Sequence, residues 1–201
     1  MAEQEPWTVL RLLNWTRDYL AKVHLEEARL AAEVLLAHVL KCTRIQLYTR
    51  FDYVPTPDEM TQFRDMVKRA AAFEPVAYMV GYKEFYSLPF KINKDVLVPR
   101  PETEMLAMEA IAHLKKLGCP GTMWDVCTGS GCVAIAVAAN VPGATVLATD
   151  ISPAAIEVAK ENAATNKVQA RCRVCVADLL PLPADCADLA PFDVITGNPP
   201  Y

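Results

Sequence analysis

No stretch of this sequence approaches the roughly 18 consecutive apolar residues that a membrane-spanning helix needs, and Met1 to Pro6 are acidic and polar, without the basic start of an export signal. Neither a membrane anchor nor a cleaved leader is expected, and the chain reads as soluble and cytoplasmic. Positive charge is not in excess: the net charge is −4, which gives no broad electrostatic footprint for nucleic acid and disfavours it as a partner. Histidine is scarce. His24, His38 and His113 lie in helical segments with no serine, cysteine or carboxylate pattern beside them that would make a triad. Seven cysteines is an odd number without framework spacing, so reduced thiols are expected, in keeping with the cytosol. Cys172-x-x-Cys175 has no second pair at zinc-ligand spacing, and strand residues three apart face opposite sides, so buried strand cysteines are expected there. There is no internal repeat and no low-complexity tract. What the chain does have is length and apolar content, 201 residues at 53% hydrophobic, enough to bury a core in one or two domains.

From Trp7 to Phe73 the pattern is helical, with Leu25, Ala28, Ala32, Leu35 and Val39 recurring on one face. Thr56-Pro57-Asp58-Glu59 is a capping box with proline at the first helical position, opening a helix whose apolar face is Phe63, Met66, Val67 and Ala70. Trp7 and Trp15 are expected to anchor this core. Glu74-Pro75 closes a helical domain over residues 1–75. Residues 76–100 read as a hairpin connector, with short aromatic and β-branched runs broken by Pro89 and Asn93-Lys94-Asp95. Residues 101–201 form the third segment, opening on a helix that stops at Gly118. Strands are then expected at 123–127, 144–149, 171–176 and 193–196, alternating with helices at 132–140 and from Ser152-Pro153 to about Asn166. Such alternation requires crossovers and hence a parallel sheet, with ligands at the carboxyl ends of its strands.

At the first of those ends stands Asp125-Val126-Cys127-Thr128-Gly129-Ser130-Gly131, where glycine lets the backbone approach a small molecule closely. Gly129-x-Gly131-x-x-Ala134 also satisfies a dinucleotide fingerprint, and Asp150, about 20 residues further on, suits a ribose hydroxyl pair. Asp125 tips the balance. A carboxylate beside the loop repels a pyrophosphate but attracts the ammonium and sulfonium of S-adenosylmethionine. Asp178 follows the third strand and suits an adenine amino group. Each aspartate alone is a common cap or turn residue; three at successive strand ends make a constellation.

Asn198-Pro199-Pro200-Tyr201 follows the fourth strand and puts a carboxamide, a backbone carbonyl and a phenol at the same sheet edge. An amide nitrogen is a poor nucleophile because its lone pair is delocalised into the carbonyl. Asn198 Oδ1 and the Pro199 carbonyl can each accept one hydrogen of a substrate NH₂, orienting the nitrogen and favouring the positive charge that develops on it, while Tyr201 packs on the planar amide. Pro199 and Pro200 stiffen the loop. No metal, general base or covalent intermediate is required. Outside such a setting Asn-Pro-Pro is a plain turn after a strand.

These motifs, together with Gly81-Tyr82-Lys83-Glu84-Phe85-Tyr86 and Val98-Pro99-Arg100-Pro101-Glu102-Thr103-Glu104, make the whole chain resemble HemK/PrmC methyltransferases, which methylate the glutamine of the Gly-Gly-Gln motif in peptide-chain release factors. The resemblance implies an α/β fold: a class I, Rossmann-like S-adenosylmethionine methyltransferase core with a parallel sheet, preceded by a small all-α domain and a β-hairpin connector. It implies that Cys127, Thr128, Gly129, Ser130, Gly131, Asp150, Asp178, Leu179 and Asn198 contact the donor, beside the Asp125 read above, and that Asn198, Pro199, Pro200 and Tyr201 receive the glutamine, with Asn198, Pro199 and Tyr201 catalytic. The helical domain resembles the release-factor docking element. Cys127 stands where many class I enzymes have glycine, and Leu179 where some relatives have an aromatic. The family sheet continues past this motif, so a sheet unfinished at its C-terminal edge is expected, with a truncated chain that exposes Val194 and Ile195.

A ribosomal-protein glutamine methyltransferase is the nearest rival, opposed by Pro99-Arg100-Pro101-Glu102-Thr103. Adenine-N6 DNA methylation uses similar Asn-Pro-Pro-Tyr logic but is opposed by the acidic balance. A fragment that binds without turnover is a third reading, and a nicotinamide oxidoreductase the last. A monomer is expected.

Overall fold

The computed structural model describes residues 5–118, 120–180, 182, 184 and 186–199. The chain divides into two compact units, Met1–Val80 and Gly81–Tyr201.

The first unit is helical: α1 (Val9–Lys22), α2 (Ala28–Val39), α3 (Arg44–Tyr48), α4 (Pro57–Ala71) and α5 (Val76–Val80). Their starts are local. Thr8 caps α1, Thr43 and Gln46 form a capping box on α3, and Thr56 and Glu59 form the expected box on α4 with Pro57 in its first turn. The apolar face of α4 is buried as its spacing requires, against Val9, Leu12, Leu20, Leu35, Leu36 and Leu47. Val80 joins that core, which carries the unit past Glu74-Pro75 to the end of α5. The long helical pattern is broken between α1 and α2, where His24 and Glu27 take left-handed φ values of 59° and 51°. Glu33 is a buried carboxylate on α2. Burial opposes its ionisation, but hydrogen bonds from Tyr48, Arg44 and Arg29 prevail and hold its pKa below the ordinary glutamate value.

The two tryptophans do not anchor the core. Trp7 is 39% and Trp15 50% exposed. Trp15 stacks on Tyr19, Trp7 meets its edge, and the Arg11 guanidinium sits over Trp7. They form one wall of a surface groove completed by Met60, Phe63 and Arg64. Aliphatic side chains fill the interior closely enough to leave the indoles outside. At the floor of the groove Thr16 is fully buried, and its hydroxyl has no hydrogen-bond partner among the described residues.

The second unit opens on an antiparallel hairpin, β1 (Tyr82–Phe85) and β2 (Leu88–Lys91). Pro89 lies inside β2 rather than breaking it, which a two-stranded edge tolerates because an outward proline costs no ladder donor. The turn residues Tyr86 and Ser87 both have positive φ, a conformation that glycine or asparagine usually supplies. The Glu104 carboxylate steadies it by accepting from Tyr86 N–H at 2.9 Å.

Beyond the hairpin come α6 (Thr103–Lys116), β3 (Thr122–Val126), α7 (Cys132–Asn140), β4 (Thr145–Asp150), α8 (Pro153–Thr165), β5 (Cys172–Val176), a short 3₁₀ turn (Ala187–Leu189) and β6 (Val194–Gly197). Among the described residues the strands form one parallel sheet in the order β5-β4-β3-β6. The mixed α/β architecture is the expected one, and Ile195 on the edge strand β6 is 61% exposed. Helix α7 is apolar all round and buried from Cys132 to Ala138, because it packs on α6, on α8 and on the sheet. Trp124, Leu147 and Cys175 lie on the opposite sheet face, which Cys186, Leu189 and Phe192 cover.

Candidate active site

The chain turns from β3 into α7 through Cys127 to Gly131. Cys127, Gly129 and Gly131 have φ values of 55°, 55° and 79°, so the turn is left-handed at three positions. Thr128 N–H bonds to Thr149 C=O on β4 at 2.9 Å, which ties the loop to the neighbouring strand. The two glycines do different work. A Cβ on Gly129 would meet nothing within 4 Å, so this residue faces open space where a ligand can approach the backbone. One on Gly131 would sit 2.8 Å from Ile135 Cδ1 and 3.2 Å from Ala159 Cβ, so glycine here lets the loop pack against α8.

Asp125 lies beneath this turn and is 2% exposed. Its Oδ2 accepts from Thr128 Oγ1 at 2.6 Å and its Oδ1 from Thr196 Oγ1 at 2.7 Å. It therefore braces the loop against β6 and contributes charge from below. Burial pushes its pKa up from 3.8 to about 6, against the pull of the two hydroxyls and the Ala134 N–H.

A raised carboxyl pKa means the folded chain holds a proton that the unfolded chain has released, so stability falls as pH rises from the unfolded value through the folded one. At 1.36 kcal/mol per unit the change amounts to about 3 kcal/mol. Asn at this position retains one acceptor and one donor for the two hydroxyls and cannot ionise. Denaturant unfolding of wild type and Asp125→Asn from pH 4 to pH 7 should show wild type losing up to about this much relative to the variant. A difference that stays flat with pH would contradict the assignment.

Asp150 ends β4 half-buried, with Oδ2 accepting from Gly129 N–H at 2.9 Å and Oδ1 from Ser152 N–H at 3.0 Å. Further acceptor capacity remains on both oxygens. Asp178 and Leu179 follow β5 and are exposed. Their common surroundings register at Cys127, whose thiol pKa is raised first by burial and then by the charges of Asp150, Asp125 and Asp178. Three carboxylates thus act on one point of the loop, a field suited to a cationic ligand. Among the described residues no group of three or more His, Cys, Asp or Glu is placed to hold a metal ion.

Asn198 reaches the same edge through the sheet register. β6 pairs with β3 so that Thr196 opposes Asp125 and Gly197 opposes Val126. Neighbouring strands lie about 4.8 Å apart, so Asn198 leaves the sheet beside Cys127. Its Nδ2 points to Thr103 Oγ1 at 3.5 Å, which leaves its Oδ1 uncommitted by that contact. Pro199 is exposed next to it. Pro200 and Tyr201 lie outside the described residues.

Two partners of the site escaped the sequence reading. Thr103 stood in a quoted motif without a role, and the structure sets it against Asn198. Asn162, fully buried on α8, is the other. Its Oδ1 accepts from Lys91 N–H at 2.7 Å, and its Nδ2 donates to Lys91 C=O at 3.1 Å and to Ser130 C=O at 2.9 Å. It bolts the hairpin and the glycine turn to one helix, helped by Asn166, which donates to Pro89 C=O at 2.9 Å, and by the Lys91–Glu161 ion pair. The only signal available in the sequence was a polar residue in the otherwise apolar stripe Ile156, Ala159, Ala163.

Residues 11–81 match the PrmC N-terminal domain family, and residues 101–198 match the ribosomal protein L11 methyltransferase (PrmA) family. The release factor glutamine methyltransferase of Rhodopirellula baltica is 46% identical over 98% of this chain and 66% of its own length. That of Chlorobaculum tepidum is 39% identical over 100% of this chain and 70% of its own length. The chain belongs to the release factor glutamine methyltransferase family. It spans about two thirds of the length of these release factor glutamine methyltransferases. Among solved structures, the human Mettl16 catalytic domain aligns with 63% of this chain and 43% of its own at 20% identity, with a TM-score of 0.48.

Proposed function

We propose that this chain carries the donor site and the amide-binding motif of an enzyme that transfers a methyl group from S-adenosylmethionine to the side-chain amide nitrogen of the glutamine in the Gly-Gly-Gln motif of peptide-chain release factors. The observation that carries this reading is the β3–β6 register, which brings Asn198 beside the Cys127–Gly131 turn. The names of the relatives supply the substrate class.

The residues fit the donor. Gly129 offers an open backbone face, Asp150 a carboxylate with spare acceptor capacity for a ribose, and Asp178 with Leu179 an exposed corner for the adenine. Cys127, Thr128, Ser130 and Gly131 complete the cradle, and Asn198 borders it. When bound, S-adenosylmethionine supplies an electrophilic methyl on a cationic sulfur. Asp125, Asp150 and Asp178 offset that positive charge, and the buried position of Asp125 makes its contribution less screened than a surface carboxylate's. Thr103 holds the Asn198 amide so that Oδ1, with the Pro199 carbonyl, accepts the two hydrogens of the glutamine NH₂. Two fixed acceptors hold the nitrogen lone pair in line and stabilise the charge it acquires.

The helical unit is the docking element for the release factor, and the aromatic groove of Trp7, Trp15 and Tyr19 is the face we assign to it. The enzyme works as a cytoplasmic monomer on a protein substrate, without nucleic acid or membrane. No helix among the described residues is long and apolar enough to cross a membrane.

A ribosomal protein is the second reading, favoured by the match of residues 101–198 to the L11 methyltransferase family. Labelled S-adenosylmethionine offered with release factor, ribosomal protein L11 or DNA to the full-length protein separates them. Label is expected on the release factor alone and should vanish when its Gly-Gly-Gln glutamine is replaced; label on L11 would move the assignment to the second reading.

A further inference from the structure

The sheet face opposite α6, α7 and α8 holds a feature that methyl transfer does not use. Cys175 on β5 and Cys186 before the 3₁₀ turn are both thiols, and their sulfurs are 3.0 Å apart. Cys186 is fully buried against Trp124 and Leu147, whereas Cys175 is partly exposed. Arg173, two residues earlier on the same face of β5, donates to Asp188 at 2.8 Å and lies beside the Cys186 sulfur, and both neighbours raise its pKa. The Arg173 guanidinium, ion-paired with Asp188, is also held against the Cys186 sulfur. Here a cation stands where negative charge develops on sulfur during exchange.

We propose that Cys175 and Cys186 form a peroxide-responsive dithiol that closes into a disulfide across the chain segment beginning with Asp178 and Leu179. The sulfur of Cys175, the less buried residue of the pair, attacks hydrogen peroxide: an S–O bond forms, the O–O bond breaks, and the departing hydroxide leaves as water with the thiol proton. Cys175 is now a sulfenic acid, oxidised by two electrons. The Cys186 sulfur then attacks it, an S–S bond forms, the S–O bond breaks, and hydroxide leaves with the Cys186 proton as a second water. The balance is two thiols and one peroxide to one disulfide and two waters. The sulfurs must close from 3.0 Å to the bonded distance of about 2.05 Å. Closure would restrain the strand end that presents Asp178 and Leu179; only this link to the donor corner rests on the function proposed above.

The first test uses the unaltered sequence. The reduced full-length protein is treated with equimolar hydrogen peroxide, remaining thiols are alkylated, and the chain is cleaved at aspartate, which separates the two cysteines at Asp178 and Asp185. A crosslinked pair of peptides carrying Cys175 and Cys186, lost on adding dithiothreitol, is expected. Amide exchange across residues 177–186 should slow at least several-fold on oxidation. With Cys186→Ala, Cys175 should instead be trapped as a sulfenic acid by dimedone. A sulfinic acid on Cys175 with Cys186 still alkylated, or a crosslink through Cys127 or Cys172, would overturn the dithiol. Unchanged exchange would overturn the closure. None of these readouts uses the methyl donor, so failure of the dithiol and failure of the methyltransferase reading show up in different experiments.

Discussion

Replacing Asn198 with alanine is expected to lower kcat for methyl transfer about 100- to 1,000-fold, the range found when one preorganised acceptor or donor is removed from a reacting centre. The reason is geometric. Asn198 follows the edge strand β6, and its amide is held by Thr103. On the proposed function, loss of the carboxamide takes the acceptor from one hydrogen of the substrate NH₂, and the lone pair is no longer held toward the methyl. Asn198→Asp should fail too, because a carboxylate cannot donate to the Thr103 hydroxyl in the same orientation. Thr103→Val should reduce kcat by a smaller factor, on the order of tenfold, by letting the amide turn over, and Thr103→Ser should restore it. Single-turnover rates with saturating donor and release factor check the series. An Asn198→Ala enzyme with near-normal single-turnover chemistry would remove this residue from the reaction.

The second large effect belongs to Asn162. Alanine there strands the buried Ser130 C=O and the part-buried N–H and C=O of Lys91, and loses three hydrogen bonds at once. A buried polar group left without a partner costs about 1–3 kcal/mol and a part-buried one less, so a loss of up to about 3 kcal/mol is expected. This corresponds to a fall in Tm on the order of 10 °C. Because Ser130 lies in the glycine turn, donor affinity should fall as well when measured by titration well below the new melting temperature. Leucine, close to asparagine in size, does not rescue, since the deficit is in hydrogen bonds rather than volume. A Tm within 2 °C of wild type, roughly 0.5 kcal/mol, would show that water or a side-chain rearrangement satisfies those groups.

Much of the second unit could be read from residues alone. Its strands are short apolar runs, and α8 announces itself with Ser152-Pro153. The glycine turn and the last motif were legible because each lies directly at the end of such a strand. The helical unit was harder. Nothing between Lys22 and Ala28 is glycine or proline, so the break between α1 and α2 had no signal; His24 and Glu27 adopt the left-handed conformation because packing on either side demands it. The same holds for Tyr86 and Ser87, where Glu104, far along the chain, supplies the support that glycine usually makes unnecessary. Trp7 and Trp15 misled for a different reason. Large aromatics dominate cores on average, but here leucine, valine and alanine close the interior and the indoles stack on one another at the surface. Asn162 was invisible because its partners are backbone atoms 71 and 32 residues back, which no local pattern encodes.

The hydrogen bond between Thr196 and Asp125 joins residues 71 positions apart. Contacts of that span form late, since a long stretch of chain must be ordered before they repay its lost entropy. The brace between Asp125 under the glycine turn and β6 therefore forms only when the whole stretch from β3 to β6 is ordered. A nascent chain that has completed its helical unit and its first two parallel strands has not yet set Asn198 beside the glycine turn, because that requires β6 to pair with β3.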